Sequence, residues 1–281
     1  MDSTRWLVFW AATLVYAQTQ APAIFDAASV RPSRARATAS GGQKGVEAPA
    51  ASFEVNGLTF TARNLNLYGL IVEAYGLKFC RPLADACPML SGGPSWLTKD
   101  TFDIQAKAPA GSPAYNTIQL RNADAPRLQE MLRRLLADRF QLKAHTEKRQ
   151  LPVYAFTVAA GGVRMKKASD GAKPSVIFRP VNSPAGPQST QVVGINSTVQ
   201  DLADLYAKFM DRPVIDTTGL TGRFDFTVEY EADPDATGPF AAVTSPALFQ
   251  AFEQQAGLKL RATQGAVDVL VIDSASHPGS D

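Results

Sequence analysis

The chain is poor in the residues that most metal and nucleophilic sites require. It contains two His and two Cys among 281 residues, whereas a zinc site needs three or four such ligands close together. It also has no large excess of one charge, because 28 basic and 26 acidic residues leave a net charge of +2. Nucleic-acid-binding proteins usually carry a clustered basic excess. We therefore expect no metal, no cofactor and no nucleic-acid partner.

Long apolar runs are absent except at the N-terminus. There, Arg5 precedes an apolar run over residues 6–16, and Val15-Tyr16-Ala17 resembles a signal-peptidase site. The run is too short to cross a ~30 Å hydrocarbon core as a permanent helix. The pattern predicts a cleaved signal peptide over residues 1–17, and hence a secreted or periplasmic mature chain without a transmembrane span. An uncleaved anchor or a buried strand is the alternative.

The two cysteines are interpreted in that compartment. Cys80 and Cys87 lie in the segment LKFCRPLADACPML. In an oxidising environment a close pair without a third Cys or a nearby His predicts a disulfide rather than a metal site or a redox pair.

Composition predicts the domain boundaries. Three stretches rich in Pro, Gly, Ala or Ser predict exposed loops or linkers, over residues 32–51, 169–191 and 232–245. We accordingly divide the chain into a signal peptide (1–17), an N-terminal strand with a low-complexity loop (18–56), a first α+β repeat with a Cys-loop insertion (57–168), a Pro-rich linker (169–191), a second α+β repeat (192–275) and a disordered tail (276–281).

Four segments have the apolar spacing of an amphipathic helix, i, i+3, i+4 and i+7. They begin near Leu67, Leu128, Leu202 and Leu248. Gly76 and Gly257 predict left-handed helix ends. Thr198 with Asp201 predicts a capping box.

Strands are predicted between the helices, and the same order of elements occurs twice. Residues 141–146 are expected to pair with 153–159, and 258–263 with 267–272 across Gln264-Gly265, as two hairpins. The order strand, helix, strand, helix, hairpin predicts an α+β fold of two similar halves, with small, mostly antiparallel sheets packed on helices. Two unrelated halves are the alternative.

Few residues suggest catalysis. Ser95 in GGPSWL is read as part of a turn, and His145 as a solvent-facing strand residue. His277 lies in the predicted disordered tail. Asp103 and Asp225 occupy matching strand positions and could do acid–base work if they were ~5–10 Å apart, but strand alternation places them on the outer side.

Charged and turn-forming residues provide a candidate contact surface. The densest charge cluster consists of Arg133, Arg134, Arg139, Lys143, Lys148 and Arg149, and His145 lies among them. It is either a solvated face or a contact for an acidic partner or an anionic envelope surface. A second candidate is the turn-rich segment that contains Asp211, Asp216 and Arg223.

Several motifs together resemble a known family. The longest are FTARNLNLYGLIVEAYGL, LRRLLADRFQLKAHTEKRQLPVYAFTVA, RPVIDTTGLTGRFDFTVEY and LFQAFEQQAGLKLRATQGAVDVLVID. They are similar to the soil-associated family of secreted bacterial proteins, a domain of unknown function. The resemblance implies secretion and no known activity. Each half also resembles, at the level of architecture, the short N-terminal domain of secretins and TonB-dependent receptors, which implies a protein-contact role.

Three functions are compatible with these features. The first is a non-enzymatic interaction or sensory module that contacts an envelope or extracellular protein. The second is a secreted hydrolase with a carboxylate site between the halves. The third is a carrier that holds a small ligand in a cleft between the halves. The partner and the oligomeric state do not follow from the sequence.

Export and disulfide formation can be tested by mass spectrometry of the protein secreted by its own host. We expect a mature chain that begins at Gln18 and lacks two hydrogens because Cys80 and Cys87 are bonded. A chain that retains residues 1–17 would contradict cleavage, and alkylation of both thiols without prior reduction would contradict the disulfide.

Overall fold

The structure is a computed structural model of the chain. It describes residues 23–33, 50–77, 80, 87–169, 171–181, 189–231 and 246–279. The predicted signal peptide, all of the predicted loop over 232–245 and most of that over 32–51 lie outside these ranges. The described residues mix helices with small sheets, which confirms the α+β class.

The strands within the described residues are, in chain order, β1 Ala27–Pro32, β2 Ser52–Gly57, β3 Thr59–Asn66, β4 Leu90–Gly92, β5 Thr101–Lys107, β6 Tyr115–Asn116, β7 Lys143–Val158, β8 Lys166–Lys167, β9 Ser175–Val181, β10 Ser189–Ser197, β11 Val214–Asp216, β12 Phe224–Glu231 and β13 Leu258–Ser274. The helices are α1 Leu67–Tyr75, α2 Thr117–Arg121, α3 Pro126–Phe140, α4 Val199–Ala207 and α5 Pro246–Ala251. A 3-10 turn spans Ser95–Thr98, and a π-helical turn over Phe252–Ala256 extends α5.

These strands form three sheets. One has the order β1-β5-β3-β2-β6, and a second has the order β8-β12-β10-β9. The third has the order β11-β7-β13-β4. Its two central strands, β7 and β13, pair antiparallel along their whole length, and we call this pair the central ribbon. The strands β11 and β4 add to it in parallel, on β7 and β13 respectively.

Helix ends agree with the sequence. Helix α1 stops at Gly76, which has the predicted left-handed conformation with φ of 62°. The predicted capping box opens α4, since Thr198 Oγ1 accepts from the Asp201 N–H at 3.0 Å and the Asp201 carboxylate accepts from the Thr198 N–H at 2.8 Å. Each pair satisfies backbone donors that the first helical turn leaves unbonded.

Both predicted hairpins are wrong. Residues 143–158 form one continuous strand, and so do residues 258–274. The two segments pair with each other instead of folding back on themselves, with Lys143 opposite Ser274 and Val158 opposite Leu258.

The residue that suggested a turn has a packing role. Gly265 lies in the central ribbon opposite Leu151. A Cβ atom at this position would lie 2.7 Å from both Val153 Cγ2 and Ile215 Cδ1. Glycine is therefore needed here for close approach of side chains to the strand, one of the two common reasons for a glycine inside a strand.

The central ribbon connects two hydrophobic cores. We use first half and second half for residues 57–168 and 192–275. The first core packs α1 and α3 with the five-stranded sheet and also contains Leu270 and Ile272 from β13. The second packs α4 and α5 with the β8-β12-β10-β9 sheet and also contains Phe156 from β7. Each core thus includes side chains from the opposite half.

Two segments differ from the sequence-based expectation. Residues 175–181, expected in the Pro-rich linker, form β9 because Val176 and Phe178 pack on the second core. His277, expected in a disordered tail, stacks on Trp96 with ring centroids 4.1 Å apart. Its Nε2 lies 2.7 Å from the Asp100 carboxylate.

Glu73 is a carboxylate inside the first half. It lies on α1 and is 3% exposed. Burial raises the pKa of the Glu73 carboxyl to about 7, while the nearby charge of Arg121 opposes this rise. Because the folded-state pKa exceeds the ordinary value of 4.5, folding favours the protonated form. The stability that protonated Glu73 contributes to the folded protein is fully present below pH 4.5. It is lost as the pH rises through 7, because the buried carboxyl then ionises.

We expect Gly265→Ala to lower the free energy of unfolding by about 1–3 kcal/mol, since the added methyl group overpacks the contact with Val153 and Ile215. Urea titration measures this change. Gly279→Ala is the matched control, because nothing lies within 4 Å of a Cβ atom there. Equal stability of the two variants would contradict the close packing at Gly265.

We expect Glu73→Gln to stabilise the protein at pH 8 by up to about 3 kcal/mol, because the amide removes the cost of a buried charge. The gain should vanish near pH 4.5, where Glu73 is protonated in the folded protein. Thermal unfolding across this pH range measures it, with the exposed Glu54→Gln as the control. A gain that does not depend on pH would contradict the raised pKa.

Candidate functional site

A cleft of about 500 Å³ lies over the central ribbon and is lined by residues of both halves. We call it the inter-half cleft. Helix α1 and the residues after it contribute Tyr75, Gly76 and Leu77, and Met89 precedes β4. The remaining lining residues are Thr146 on β7, Gln200, Asp204 and Ala207 on α4, Pro213, Val214 and Ile215 at β11, and Ala266, Val267, Asp268 and Leu270 on β13.

Helix α4 presents its polar side to the cleft because its apolar side is buried. Leu202 and Tyr206 are fully buried in the second core. Gln200 and Asp204 lie one helical turn apart, and the Gln200 side-chain amide donates to Asp204 Oδ1 at 2.7 Å. This i, i+4 bond orients the carboxylate at the cleft wall.

The other carboxylate of the cleft belongs to the central ribbon. Asp268 accepts from the Lys148 ammonium at 2.9 Å, and the two residues lie directly opposite each other in the ribbon. Both side chains are exposed, at 61% for Asp268 and 73% for Lys148. An ion pair with this exposure contributes little to stability.

The predicted disulfide is confirmed and supports one wall of the cleft. Cys80 and Cys87 are bonded, with Cα atoms 5.3 Å apart. Both sulfurs belong to a buried cluster on the side of α1, and Leu77 and Met89 pack against that cluster. Since Leu77 and Met89 also line the cleft, the disulfide lies directly behind the wall.

The structure disperses the predicted basic cluster on α3. Arg133 Nη1 donates to the Ala74 carbonyl at 2.9 Å, and Arg139 Nη2 donates to the Ala28 carbonyl at 3.2 Å. Both guanidinium groups therefore connect α3 to other elements. Arg134 pairs with Glu130, one turn earlier on the same helix, at 2.9 Å.

The charged residues on β7 form pairs across the ribbon or along the strand. His145 Nδ1 lies 2.9 Å from Asp273, as a solvent-exposed pair. Arg149 pairs with Glu147 and also donates to Ser91 Oγ at 2.9 Å. Lys143 is exposed at the end of the ribbon.

The segment around Asp211 is a structured turn. The hydrogen bond from Arg212 holds the pKa of the Asp211 carboxyl below its usual value. Asp216 accepts from both the N–H and the hydroxyl of Thr218, at 2.8 and 2.7 Å, in an Asx turn. Arg223 Nη1 donates to the Asn196 carbonyl at 2.7 Å.

The two matching aspartates have the same local partner in different sheets. Asp103 accepts from the Asn64 N–H and Asp225 from the Asn196 N–H, each at 2.8 Å. Both asparagines have positive φ, 51° and 47°, at irregular points of β3 and β10. Each carboxylate thus stabilises a strained bend in its own sheet.

The exposed Ser95 begins the 3-10 turn that buries Leu97.

Among the described residues, no group of three or more His, Cys, Asp or Glu side chains could hold a metal ion. No helix among the same residues is long and apolar enough to cross a bilayer.

A cleft between the halves is among the alternatives that the sequence allows, but the residues that line the inter-half cleft are not predicted from the sequence. Its carboxylates come from α4 and from β13, where the sequence predicts a hairpin. The i, i+4 spacing of the polar residues Gln200 and Asp204 is the one signal of this site in the sequence.

Comparison with known proteins identifies a family without an assigned function. The family model described as "Protein of unknown function (DUF3738)" matches residues 61–275. No curated protein and no solved structure matches the chain. The matched range includes residues 61–168 of the first half, the whole second half and all the residues that line the cleft.

Proposed function

The chain belongs to the DUF3738 family of proteins of unknown function, and we propose that it is a non-enzymatic binding module that works outside the cytoplasm and holds its partner in the inter-half cleft. The cleft carries this proposal, because residues distant in the sequence converge there over the exposed middle of the central ribbon. Clefts between structural units are common binding sites.

The chemistry of the lining supports binding rather than catalysis. The described lining residues include no His, Cys, Ser, Lys or Arg. A nucleophile with a base in hydrogen-bond reach would be needed for covalent catalysis. The hydrolase alternative depended on Asp103 and Asp225, and each of these carboxylates bonds to a backbone N–H in its own sheet.

The proposed location rests on two features. The Cys80–Cys87 disulfide is typical of proteins in oxidising compartments. Residues 1–17 have the composition of a signal peptide. We include in this proposal the soil-bacterial origin implied by the family resemblance. We also include the protein-contact role implied by the resemblance of each half to the short N-terminal domain of secretins.

We further propose that the two halves arose by duplication. In support, α1 and α4 each follow a strand with a positive-φ asparagine, Asn64 or Asn196, whose N–H donates to an aspartate. The central ribbon also has matching ends, since β4 adds to β13 and β11 adds to β7, both in parallel.

The charged surface predicted from the sequence, on α3, β7 and the segment from Asp211 to Arg223, is a second candidate for contact with a partner. Arg134, Lys143 and His145 are exposed, and the segment from Asp211 to Arg223 contains β11. The internal hydrogen bonds of Arg133 and Arg139 favour the cleft over this surface as the primary site.

Photo-crosslinking in the native host tests the cleft. We expect benzoylphenylalanine at Gln200 to give a discrete adduct, and the same group at Ile118, which is 69% exposed, to give none. Ala266→Trp should abolish the adduct because the indole fills the cleft, whereas Ala262→Trp on the same strand should not. Adducts at Ile118 alone, or persistence of the Gln200 adduct in Ala266→Trp, would place the binding site elsewhere.

A further inference from the structure

We infer that the ligand of the inter-half cleft is a peptide segment of a partner protein that adds as a strand beside β13 and places a basic and an apolar side chain in the cleft. This inference rests on the proposed function, since it identifies the ligand of the same site. The free edge of β13, the apolar walls and the charge of the lining support it together.

Among the described residues, no strand pairs with the edge of β13 where it borders the cleft. Strand β4 pairs with β13 only at Leu270, Val271 and Ile272, and within the described residues no strand continues along that edge toward Gly265. The Leu270 N–H donates to the Met89 carbonyl at 2.9 Å. Because alternate backbone groups of a strand point to the same edge, the N–H groups of Asp268 and Ala266 point to the side that β4 leaves uncovered.

A peptide at this edge would continue the sheet where β4 begins. Four of the cleft residues, Ala266, Val267, Asp268 and Leu270, belong to this stretch of β13. Strand addition supplies main-chain hydrogen bonds that any sequence can make, and alternate side chains then determine specificity.

The walls define one of those side chains as apolar. The apolar lining residues include Leu77 and Met89 from the first half and Val214 and Ile215 from β11. Burial of an apolar side chain between them removes its surface and theirs from water.

The charge of the cleft defines the other side chain as basic. The charged side chains of the lining are Asp204 and Asp268, both acidic. The partner of Asp268 is the exposed Lys148, which is not a lining residue. Since an exposed ion pair is weak, a basic group of the peptide can replace the Lys148 ammonium at Asp268 without a large cost.

Binding of short synthetic peptides tests this ligand class. The probe is acetyl-Thr-Leu-Thr-Lys-Thr-amide, in which Leu and Lys are two residues apart and share one face of a strand. We expect it to bind roughly tenfold more tightly than the peptide with Glu in place of Lys, because like charges repel across an interface. Amide chemical shifts of Ala266 and Asp268 should move on titration.

Variants and altered peptides separate the parts of the inference. Asp268→Asn should weaken binding of the Lys peptide roughly fivefold, the scale of an exposed ion pair, and Asp138→Asn, an exposed carboxylate on α3 outside the lining, should not. Methylation of the peptide backbone nitrogens should abolish binding, because strand addition needs those donors. n-Hexylamine, which has the charge and the apolar chain without a backbone, should bind more weakly than the peptide.

Several outcomes would overturn the inference. Equal affinity for the Lys and Glu peptides would exclude the basic side chain, and tolerance of N-methylation would exclude strand addition. Absence of binding by every peptide would exclude this ligand class. None of these results affects the crosslink expected at Gln200, so the proposed function is tested separately.

Discussion

The backbone pairing of β7 with β13 is the interaction on which the rest of the structure depends. It runs from Lys143 opposite Ser274 to Val158 opposite Leu258, and it brings together two segments that are far apart in the chain. Among the described residues, the short strands β4 and β11 pair only with this ribbon. Both hydrophobic cores receive side chains from it, Ile272 in one and Phe156 in the other. Its exposed middle is the floor of the inter-half cleft, so fold and candidate site share one set of hydrogen bonds.

Local structure was predictable because local chemistry determines it. The end of α1 at Gly76 and the start of α4 at Thr198 depend on residues within one helical turn. The central ribbon was not predictable in the same way. Gln264-Gly265 has the composition of a turn, yet the absence of a side chain at Gly265 serves its contact with Val153. A sequence pattern cannot distinguish a glycine that permits a turn from one that permits close packing, because the distinction depends on a residue from another segment.

The candidate site was beyond sequence reasoning for a related reason. Its residues come from α1, α4, β11 and β13, and they become neighbours only after the two halves pack on the ribbon. Charge density along the chain suggested α3 instead. There, Arg133 and Arg139 donate to backbone carbonyls of other elements. In the sequence, arginines with this structural role cannot be distinguished from arginines of a binding surface. The disulfide was predictable because its two cysteines leave no alternative partner.

Each core contains side chains from a ribbon strand of the opposite half. This arrangement limits where residues can be inserted into or deleted from the chain. One codon inserted or deleted in β7 before Phe156, or in β13 before Ile272, would move every later side chain of that strand to the opposite face of the sheet. The shift would expose Phe156 or Ile272 and empty the core of the half that the strand serves. A change in length therefore disturbs the cores least outside the ribbon, for example in the connection closed by Cys80 and Cys87, where an added residue leaves both registers intact.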